Sequence, residues 1–405
     1  MTYPPATVRA FQYGLGIFAL TVLIGLTNAT KIIGDVDRNT LLTHLHSGTL
    51  GWITMGVFGI ALALFARNGA AGPNLLLTAL ATAAYVIAFW SGNFVARAVF
   101  GVVMLATIFG WWVWVVSRAG SIGYGRLTNP QLSVVLGLTT LVVGSTLGVI
   151  VQVLLATNNF GEQNGVLVGA HAFAQVAGYL VLVAAGAIEW LLNPNAGRTR
   201  AGEIQSWFLF AAGLLFAIGT IANLVPPLLL GNVLQTIGVV MVVVRLGSRV
   251  VNAPWGAASG ARHAAIAVPF LIVALALTVV LTQQFVASQG DPSKAPGPGL
   301  FTAISHTYFV GLLTNVLFAA VLGVAGGTNR MWPWADHVIF WGLNIGAAAF
   351  ITVLLTAGSS AGSAAFTHPV AFTAPIMGLS ALLAIVTFSV RLASAPEAVR
   401  APVPA

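Results

Sequence analysis

The chain has 405 residues, of which 58% are hydrophobic and only 6% are charged, and its mean hydropathy is +0.95. This composition excludes a soluble globular domain, because long apolar runs with few charges are typical of polytopic helical membrane proteins. The formal net charge of +8 does not indicate a nucleic-acid-binding protein, since the basic residues are spread thinly along the loops.

Cysteine is absent from the sequence. Disulfides, thiolate metal ligands and covalently attached c-type haem are therefore excluded, so any metal or haem would depend on histidine and oxygen ligands. We predict one integral-membrane domain over residues 1–405, with short disordered tails rich in Pro and Ala at 1–8 and 394–405. We expect the first apolar run to be retained as a span, because no small-residue cleavage site follows it.

Runs of about 20 mainly apolar residues, the length that a helix needs to span a bilayer, recur along the whole chain. They predict an all-α polytopic membrane protein with about twelve transmembrane helices. The seventh and eighth runs meet at Pro226-Pro227, where a kinked pair could be divided differently. In chain order the predicted spans cover residues 11–30, 42–66, 74–92, 96–117, 131–155, 166–192, 205–228, 230–248, 264–287, 300–325, 337–358 and 367–391.

The distribution of Lys and Arg predicts the orientation of the chain in the membrane. With the N-terminus inside, twelve of the 16 basic residues fall on the inner side. The four on the outer side are Lys31, Arg38, Arg97 and Lys294. We therefore predict a multi-pass protein of a bacterial-type cytoplasmic (inner) membrane, with both termini cytoplasmic, the lipid bilayer as its partner, and no nucleic-acid partner.

Histidines inside apolar runs are the main functional signal in the sequence. His44 and His46 lie near the outer end of the second span, His171 near that of the sixth, and His306 near that of the tenth. An ionisable residue within a span is costly and indicates a functional site by default. Because His46, His171 and His306 lie about one third of the chain apart, we predict three pseudo-repeated four-helix units.

Residues 43–52 read Thr-His-Leu-His-Ser-Gly-Thr-Leu-Gly-Trp. This string resembles the His-x-His-Ser-Gly-x-x-Gly-Trp string in the haem-binding helix of cbb-type members of the haem–copper oxidase superfamily. Twelve helices, inner termini and histidines on helices two, six and ten also resemble subunit I of that superfamily, to which cytochrome c oxidases and nitric oxide reductases belong.

The resemblance implies a low-spin haem b with His46 of helix two and His306 of helix ten as its axial ligands. It also makes His171 the helix-six histidine, with Gln175 one turn later where the family has Tyr or Glu. The histidine pair that completes the copper site in helix seven is missing, since residues 207–247 contain no histidine. The chain is therefore similar to a divergent member in which copper is not expected.

The roles of the other candidates are left open by the sequence. Residues two apart on a helix point about 200° apart, so His44 either binds a second haem or forms an interfacial hydrogen bond. His171 is a candidate ligand of a haem or metal. The guanidinium groups of Arg97 and Arg38 suit bidentate binding of haem propionates, and the alternative for both is an interfacial residue whose charge snorkels to water.

The function implied is that of a haem b-binding membrane protein in respiratory electron transfer or in oxygen or nitric oxide chemistry. An electron-donor cytochrome or a small subunit would be its protein partner, and any enzyme activity would be that of an oxidoreductase. A twelve-helix secondary transporter is the alternative from another class, against which the near absence of mid-span acids counts; Glu189 is the one acid clearly inside a span. A degenerate scaffold without cofactor, with histidines that only bridge helices, is a third interpretation.

Overall fold

A computed structural model of the chain describes residues 3–66, 71–288, 291, 295–325 and 331–394. These residues form helices joined by short connections, which confirms the predicted all-α polytopic fold. The helices α1 to α12 are, in chain order, Pro5–Thr30, Arg38–Phe65, Leu75–Trp90, Phe94–Ile122, Asn129–Ala156, Glu162–Leu192, Arg200–Ala222, Val225–Val251, Gly260–Ser288, Pro298–Val324, Pro333–Ala357 and Val370–Ala393.

Each predicted span overlaps one of these helices. Within the described residues, eleven helices are long and apolar enough to cross a bilayer. The exception is α3, whose 16 residues extend for about 24 Å at 1.5 Å per residue, less than the roughly 30 Å of a typical hydrocarbon core. The chain is therefore a multi-pass membrane protein by the length and composition of its helices.

The boundary expected at Pro226-Pro227 lies earlier in the structure. Helix α7 ends at Ala222, because Asn223 adopts the left-handed conformation with φ 51° and caps the helix. Helix α8 then begins at Val225 with proline in its first turn, where the missing N–H leaves no hydrogen bond unmade. At the N-terminus, α1 begins inside the predicted tail of residues 1–8, since it starts at Pro5.

The chain divides into two compact units, of residues 1–59 with 253–405 and of residues 60–252. In the first unit, α12 packs along both α1 and α11. In the second unit, α7 packs along α8, and α5 packs along α4 and α6. The grouping into three four-helix units stays a prediction. Lys294 and the C-terminal tail after Ser394 lie outside the described residues.

Three of the helices contain a π-helical segment: Ser47–Thr54 in α2, Ala174–Leu180 in α6 and Thr307–Thr314 in α10. These are the same three helices that carry the candidate histidines His44, His46, His171 and His306. A π-helical turn hydrogen-bonds residues five apart and is often found at functional sites. The hydroxyls of Thr54 and Thr314 follow this spacing, since each donates to the carbonyl five residues earlier at 2.9 and 2.8 Å.

The loop between α1 and α2 is fastened to the loop between α11 and α12. The carboxylate of Asp35 accepts hydrogen bonds from Lys31 Nζ at 2.5 Å and from the backbone N–H of Gly362 at 3.0 Å. The hydrogen bond from Lys31, followed by that from Gly362, lowers the pKa of the Asp35 carboxyl. Asp37 then caps α2 by accepting from the N–H of Asn39 at 2.7 Å. The start of the helix that carries His44 is thereby fixed.

Candidate cofactor site

A largely apolar cavity lies in the first unit between α1, α2, α10, α11 and α12. Its volume is about 850 Å³, including the space that is open at its mouth. Its lining includes the imidazoles of two histidines among apolar side chains such as Phe18, Leu26, Phe309, Phe350 and Met377.

Those two imidazoles belong to His44 of α2 and His306 of α10. Their ring centres are 6.3 Å apart and their planes differ by 24°. A bond from a metal to an imidazole nitrogen is about 2.0 Å, and the nitrogen lies about 1.1 Å from the ring centre, so two imidazoles on opposite sides of one metal have centres about 6 Å apart. The observed separation therefore fits two axial ligands of one metal ion.

The Nδ1 atom of each ring forms a hydrogen bond with a backbone carbonyl. His44 Nδ1 donates to Thr21 O at 2.8 Å, and His306 Nδ1 donates to Thr302 O at 2.8 Å. Because a carbonyl oxygen only accepts, Nδ1 carries the proton of the neutral ring and Nε2 keeps its lone pair. Metal-bound histidines almost always donate their other ring N–H in this way, so both rings fit the role of haem ligands.

Close packing fixes the orientation of the two rings. The His44 ring lies against the bare backbone of α1, where a Cβ on Gly25 would come within 2.9 Å of its Cε1 atom. The His306 ring packs against the ring of Phe350, with centres 4.7 Å apart and planes tilted by 53°. Neither imidazole can therefore turn without disturbing a neighbouring helix.

Trp52 and Thr314 connect the two π-helical segments of the first unit. Trp52 is 1% exposed, and its Nε1 donates to Thr314 Oγ1 at 3.0 Å. Its indole also stacks on Phe18, with ring centres 4.9 Å apart. All three side chains line the cavity, so this contact fixes α2 and α10 where they border it.

In the structure, the histidine of α2 that lies beside His306 is His44. The sequence places His46 there, whereas the ring paired with His306 in the structure is that of His44. The cavity lining includes His44 and does not include His46. The two histidines are about 200° apart on their helix, so His46 lies on the other face of α2. Its Nδ1 donates to Leu42 O at 2.8 Å, and its role as a haem ligand stays a prediction.

His171 lies in the second unit and is half-buried. Its Nδ1 donates to Gly144 O at 2.7 Å, which leaves the lone pair on Nε2 as in the two rings of the cavity. Gln175, one turn later, donates from Nε2 to Ser145 Oγ at 3.1 Å. Across the described part of the chain, no group of three or more His, Cys, Asp or Glu side chains could hold a metal ion. A metal bound by one or two of these histidines would need further ligands, which a porphyrin supplies.

Arg97 is buried in the second unit and is only 2% exposed. Its Nη2 donates to Phe89 O at 2.8 Å, and its guanidinium lies over the rings of Phe89 and Phe94 at 4.9 and 5.2 Å. The cation therefore interacts with the C-terminal end of α3, where the helix dipole favours it. Arg38, by contrast, is exposed at the first position of α2, six residues before His44. Propionate binding by either arginine stays a prediction.

Glu189 of α6 is held in an ion pair inside the second unit. Its side chain is 4% exposed, and its Oε1 accepts from Arg245 Nη2 at 2.5 Å and from Asn129 Nδ2 at 3.0 Å. Arg245 also donates to Gln205 at 2.6 Å. The acid that the sequence singles out as lying inside a span thus fastens α6 to α8.

Some contacts of the site could not be recognised from one residue string. The link between Trp52 and Thr314 joins residues that are 262 positions apart. One signal in the sequence could have indicated that α2 and α10 are alike. A glycine follows both His46 and His306 by five residues, and a threonine follows both by eight. No protein-family model matches the chain, and no curated protein matches it.

Proposed function

We propose that the protein binds haem b in the first unit, with His44 and His306 as the axial ligands of a low-spin haem on a scaffold similar to that of the haem–copper oxidases. The observation that carries this proposal is the pair of imidazoles, with ring centres 6.3 Å apart at one apolar cavity. Both rings keep a lone pair on Nε2, because Nδ1 of each donates to a carbonyl.

A haem bound there supplies reversible one-electron oxidation and reduction at its iron. The residues of the chain bind it, orient it and exclude water. Held by both His44 and His306, such a haem would have no free position for oxygen or nitric oxide, so the chemistry that it would supply is electron transfer. The apolar walls lower the local dielectric constant, and the hydrogen bonds to Thr21 O and Thr302 O strengthen the two imidazoles as ligands.

Electron transfer in a respiratory membrane follows from this chemistry as the proposed role. The proposal includes a bacterial-type cytoplasmic membrane, cytoplasmic termini and an electron-donor cytochrome or small subunit as partner. A secondary transporter is less well supported by the cavity, since no Asp, Glu, Lys or Arg is among the described residues that line it. Transporters of this size typically bind substrate and coupling ions with charged or polar groups near the membrane midplane.

A reduced-minus-oxidised absorption spectrum of the purified protein tests the proposal. After expression with ample haem, we expect a Soret band and the sharp α-band of a low-spin b-type haem, with acid–acetone extraction releasing the haem. His44→Ala and His306→Ala should each remove this signal, because each removes one axial ligand. His368→Ala is the matched control: its Nδ1 accepts from the N–H of Val370 at 3.2 Å and its Nε2 donates to Ala357 O at 3.4 Å, so no lone pair remains for iron. Absence of a Soret band from the wild-type protein would overturn the proposal.

A further inference from the structure

A buried cluster of three polar side chains joins α9, α10 and α11 directly beside the cofactor cavity. Asn315 and Asn344 form a reciprocal amide pair, in which Asn315 Nδ2 donates to Asn344 Oδ1 at 2.7 Å and Asn344 Nδ2 donates to Asn315 Oδ1 at 3.2 Å. His263 Nδ1 donates to the same Oδ1 of Asn315 at 2.8 Å. The three residues are at most 7% exposed. Thr314 and Leu343, which precede the two asparagines, line the cavity, so the cluster adjoins the proposed haem site.

Asn315 lies at one end of the π-helical segment of α10. It is the first residue after Thr307–Thr314, and His306 is the last residue before that segment. The backbone N–H of Asn315 donates to Leu312 O. The carbonyl of Gly311, four residues before Asn315, accepts from the side-chain Nδ2 of Asn315 at 2.9 Å. The side chain thus serves a carbonyl that the backbone N–H of the same residue meets in a regular α-helix.

The π-helical segment determines how His306 is turned relative to Asn315. A π-helical turn hydrogen-bonds residues five apart and so holds one extra residue, and each residue turns a helix by about 100°. Conversion of the segment to a regular α-helix would therefore turn the His306 ring by about 100° relative to the rest of α10. The direction of the ring depends on how this segment is held at both of its ends.

Two contacts hold α11 against α10, one at each end of the segment. At one end, Asn344 pairs with Asn315. At the other end, six residues further along α11, Phe350 packs against the His306 ring, with ring centres 4.7 Å apart. Phe350 is itself only 5% exposed. The amide pair therefore holds α11 in the register that places Phe350 against His306.

The π-helical segment of α2 has no amide side chain at the equivalent position. The residue that follows Ser47–Thr54 is Met55, which is 0% exposed. Its backbone N–H donates to Leu50 O and Trp52 O, so this segment ends beside an apolar side chain. An asparagine is therefore not required to build such a segment, and what the amide adds in α10 is the connection to α11.

His263 orients the amide of Asn315. Its Nδ1 carries the proton, because Asn315 Oδ1 only accepts. Its Nε2 is buried and has no hydrogen-bond partner in the part of the chain that the structure describes, and its ring lies against those of Phe318 and Phe340, with centres 5.9 and 5.0 Å away. A buried acceptor without a partner costs free energy, so the contribution of this imidazole is its bond with Asn315. That bond keeps Oδ1 of the amide facing α9 and leaves Nδ2 for α11.

We propose that Asn315 is a positioning residue for His306. Through its amide pair with Asn344, it sets the direction in which His306 presents Nε2 to the iron and the angle between the planes of the two axial imidazoles. The inference rests on the proposed function, because it concerns the geometry of the haem that His44 and His306 would hold.

Electron paramagnetic resonance of the oxidised full-length protein tests the proposal, because the g values of a low-spin ferric haem depend on the angle between its two imidazole planes. The planes differ by 24° in the structure. Asn315→Met introduces the residue type that α2 has at this position, and it should retain haem and shift the largest g value. Asn344→Leu is a second variant that removes the pair and leaves Asn315 its bonds with His263 and Gly311 O. It should shift the same g value.

Thr387→Val is the matched control in the first unit. Thr387 is 0% exposed, and its Oγ1 has no hydrogen-bond partner among the described residues. The substitution therefore removes a buried polar atom without removing a described hydrogen bond. We expect the g values of the wild-type protein in this variant.

The outcomes separate a positioning role from a structural one, because the signal arises only from folded protein that holds haem. Wild-type g values in Asn315→Met and Asn344→Leu, with a lower unfolding temperature, would mean that the pair only stabilises the fold. That result would overturn the positioning role and leave the proposed function in place. A wild-type protein without haem would overturn both.

Discussion

Gly25→Ala tests most directly how α1 holds the His44 ring. A Cβ at position 25 would lie 2.9 Å from Cε1 and 3.5 Å from Nδ1 of the ring, whereas ordinary van der Waals contact begins at 3.4 Å. The ring must therefore move by at least about 0.5 Å, or α1 and α2 must separate by a similar distance. Such a movement stretches the 2.8 Å hydrogen bond from Nδ1 to Thr21 O beyond the usual limit of about 3.2 Å.

An extra methyl group in a well-packed site destabilises it by about 1–3 kcal/mol. Because haem binding in this account depends on the position of the His44 ring, the strain should lower the affinity for haem. Since 1.4 kcal/mol corresponds to a factor of ten, the dissociation constant for haem should rise about 5- to 150-fold. The measurement is the transfer of haem from the detergent-solubilised protein to an excess of a soluble haem-scavenging protein, followed by absorbance.

Gly16→Ala is the matched control on the same helix. A Cβ at position 16 would have no atom within 4 Å, so this variant adds the same methyl group without touching the site. We expect its haem release to match that of the wild-type protein. Equal release from Gly25→Ala and Gly16→Ala would refute the account of how His44 is held.

Three further substitutions test other contacts of the fold. Thr314→Val removes the acceptor of the buried Trp52 N–H and should lower stability by about 1–3 kcal/mol, with Thr314→Ser as a neutral control; thermal unfolding in detergent measures both. Asp35→Asn should remove the acid sensitivity that this carboxyl contributes. The hydrogen bond from Lys31 lowers its pKa, so its stabilisation is present above the ordinary pKa near 4 and is lost as the pH falls through the lowered value. The unfolding temperature of the wild-type protein should therefore exceed that of the variant at neutral pH and approach it as the pH falls below about 4. Glu189→Ala should destabilise the second unit by about 3–5 kcal/mol, since it leaves Arg245 largely buried without a counter-charge. Removing Arg245 as well should recover part of the loss. An unchanged unfolding temperature in Glu189→Ala would contradict the buried ion pair.

The helices could be predicted from the sequence because hydrocarbon imposes a simple length and composition on each span. Every predicted span has a helix in the structure, and the error at Pro226-Pro227 has a local cause in the left-handed Asn223. The histidines also stand out from the sequence, since few ionisable side chains occur in the apolar runs. Both inferences depend on residues that are close together in the chain.

The choice between His44 and His46 could not be made in the same way. A helix rotates by about 100° per residue, so the two rings lie on opposite faces, and only the neighbouring helices decide which face meets His306. The deciding contacts, with Thr21 O and the backbone at Gly25, come from α1 and follow no local pattern. The family string points to α2, and the contacts of that helix show that His44 is the histidine that lines the cavity.

The burial of Arg97 has a similar origin. Its place near the start of an apolar helix suggests a side chain that reaches water, but the described contacts turn it onto Phe89 and Phe94. Its partner carbonyl belongs to the preceding helix, eight residues earlier. The short turn between α3 and α4, rather than the polarity of the segment, determines where the guanidinium lies.

Electron paramagnetic resonance of the oxidised protein tests the central claim most directly, with His44→Ala, His46→Ala and His306→Ala compared with the wild-type protein. The geometry predicts a low-spin ferric signal of a haem with two imidazole ligands that disappears in His44→Ala and His306→Ala and persists in His46→Ala. A signal that persists in His44→Ala and disappears in His46→Ala and His306→Ala would contradict the assignment of His44 as the partner of His306.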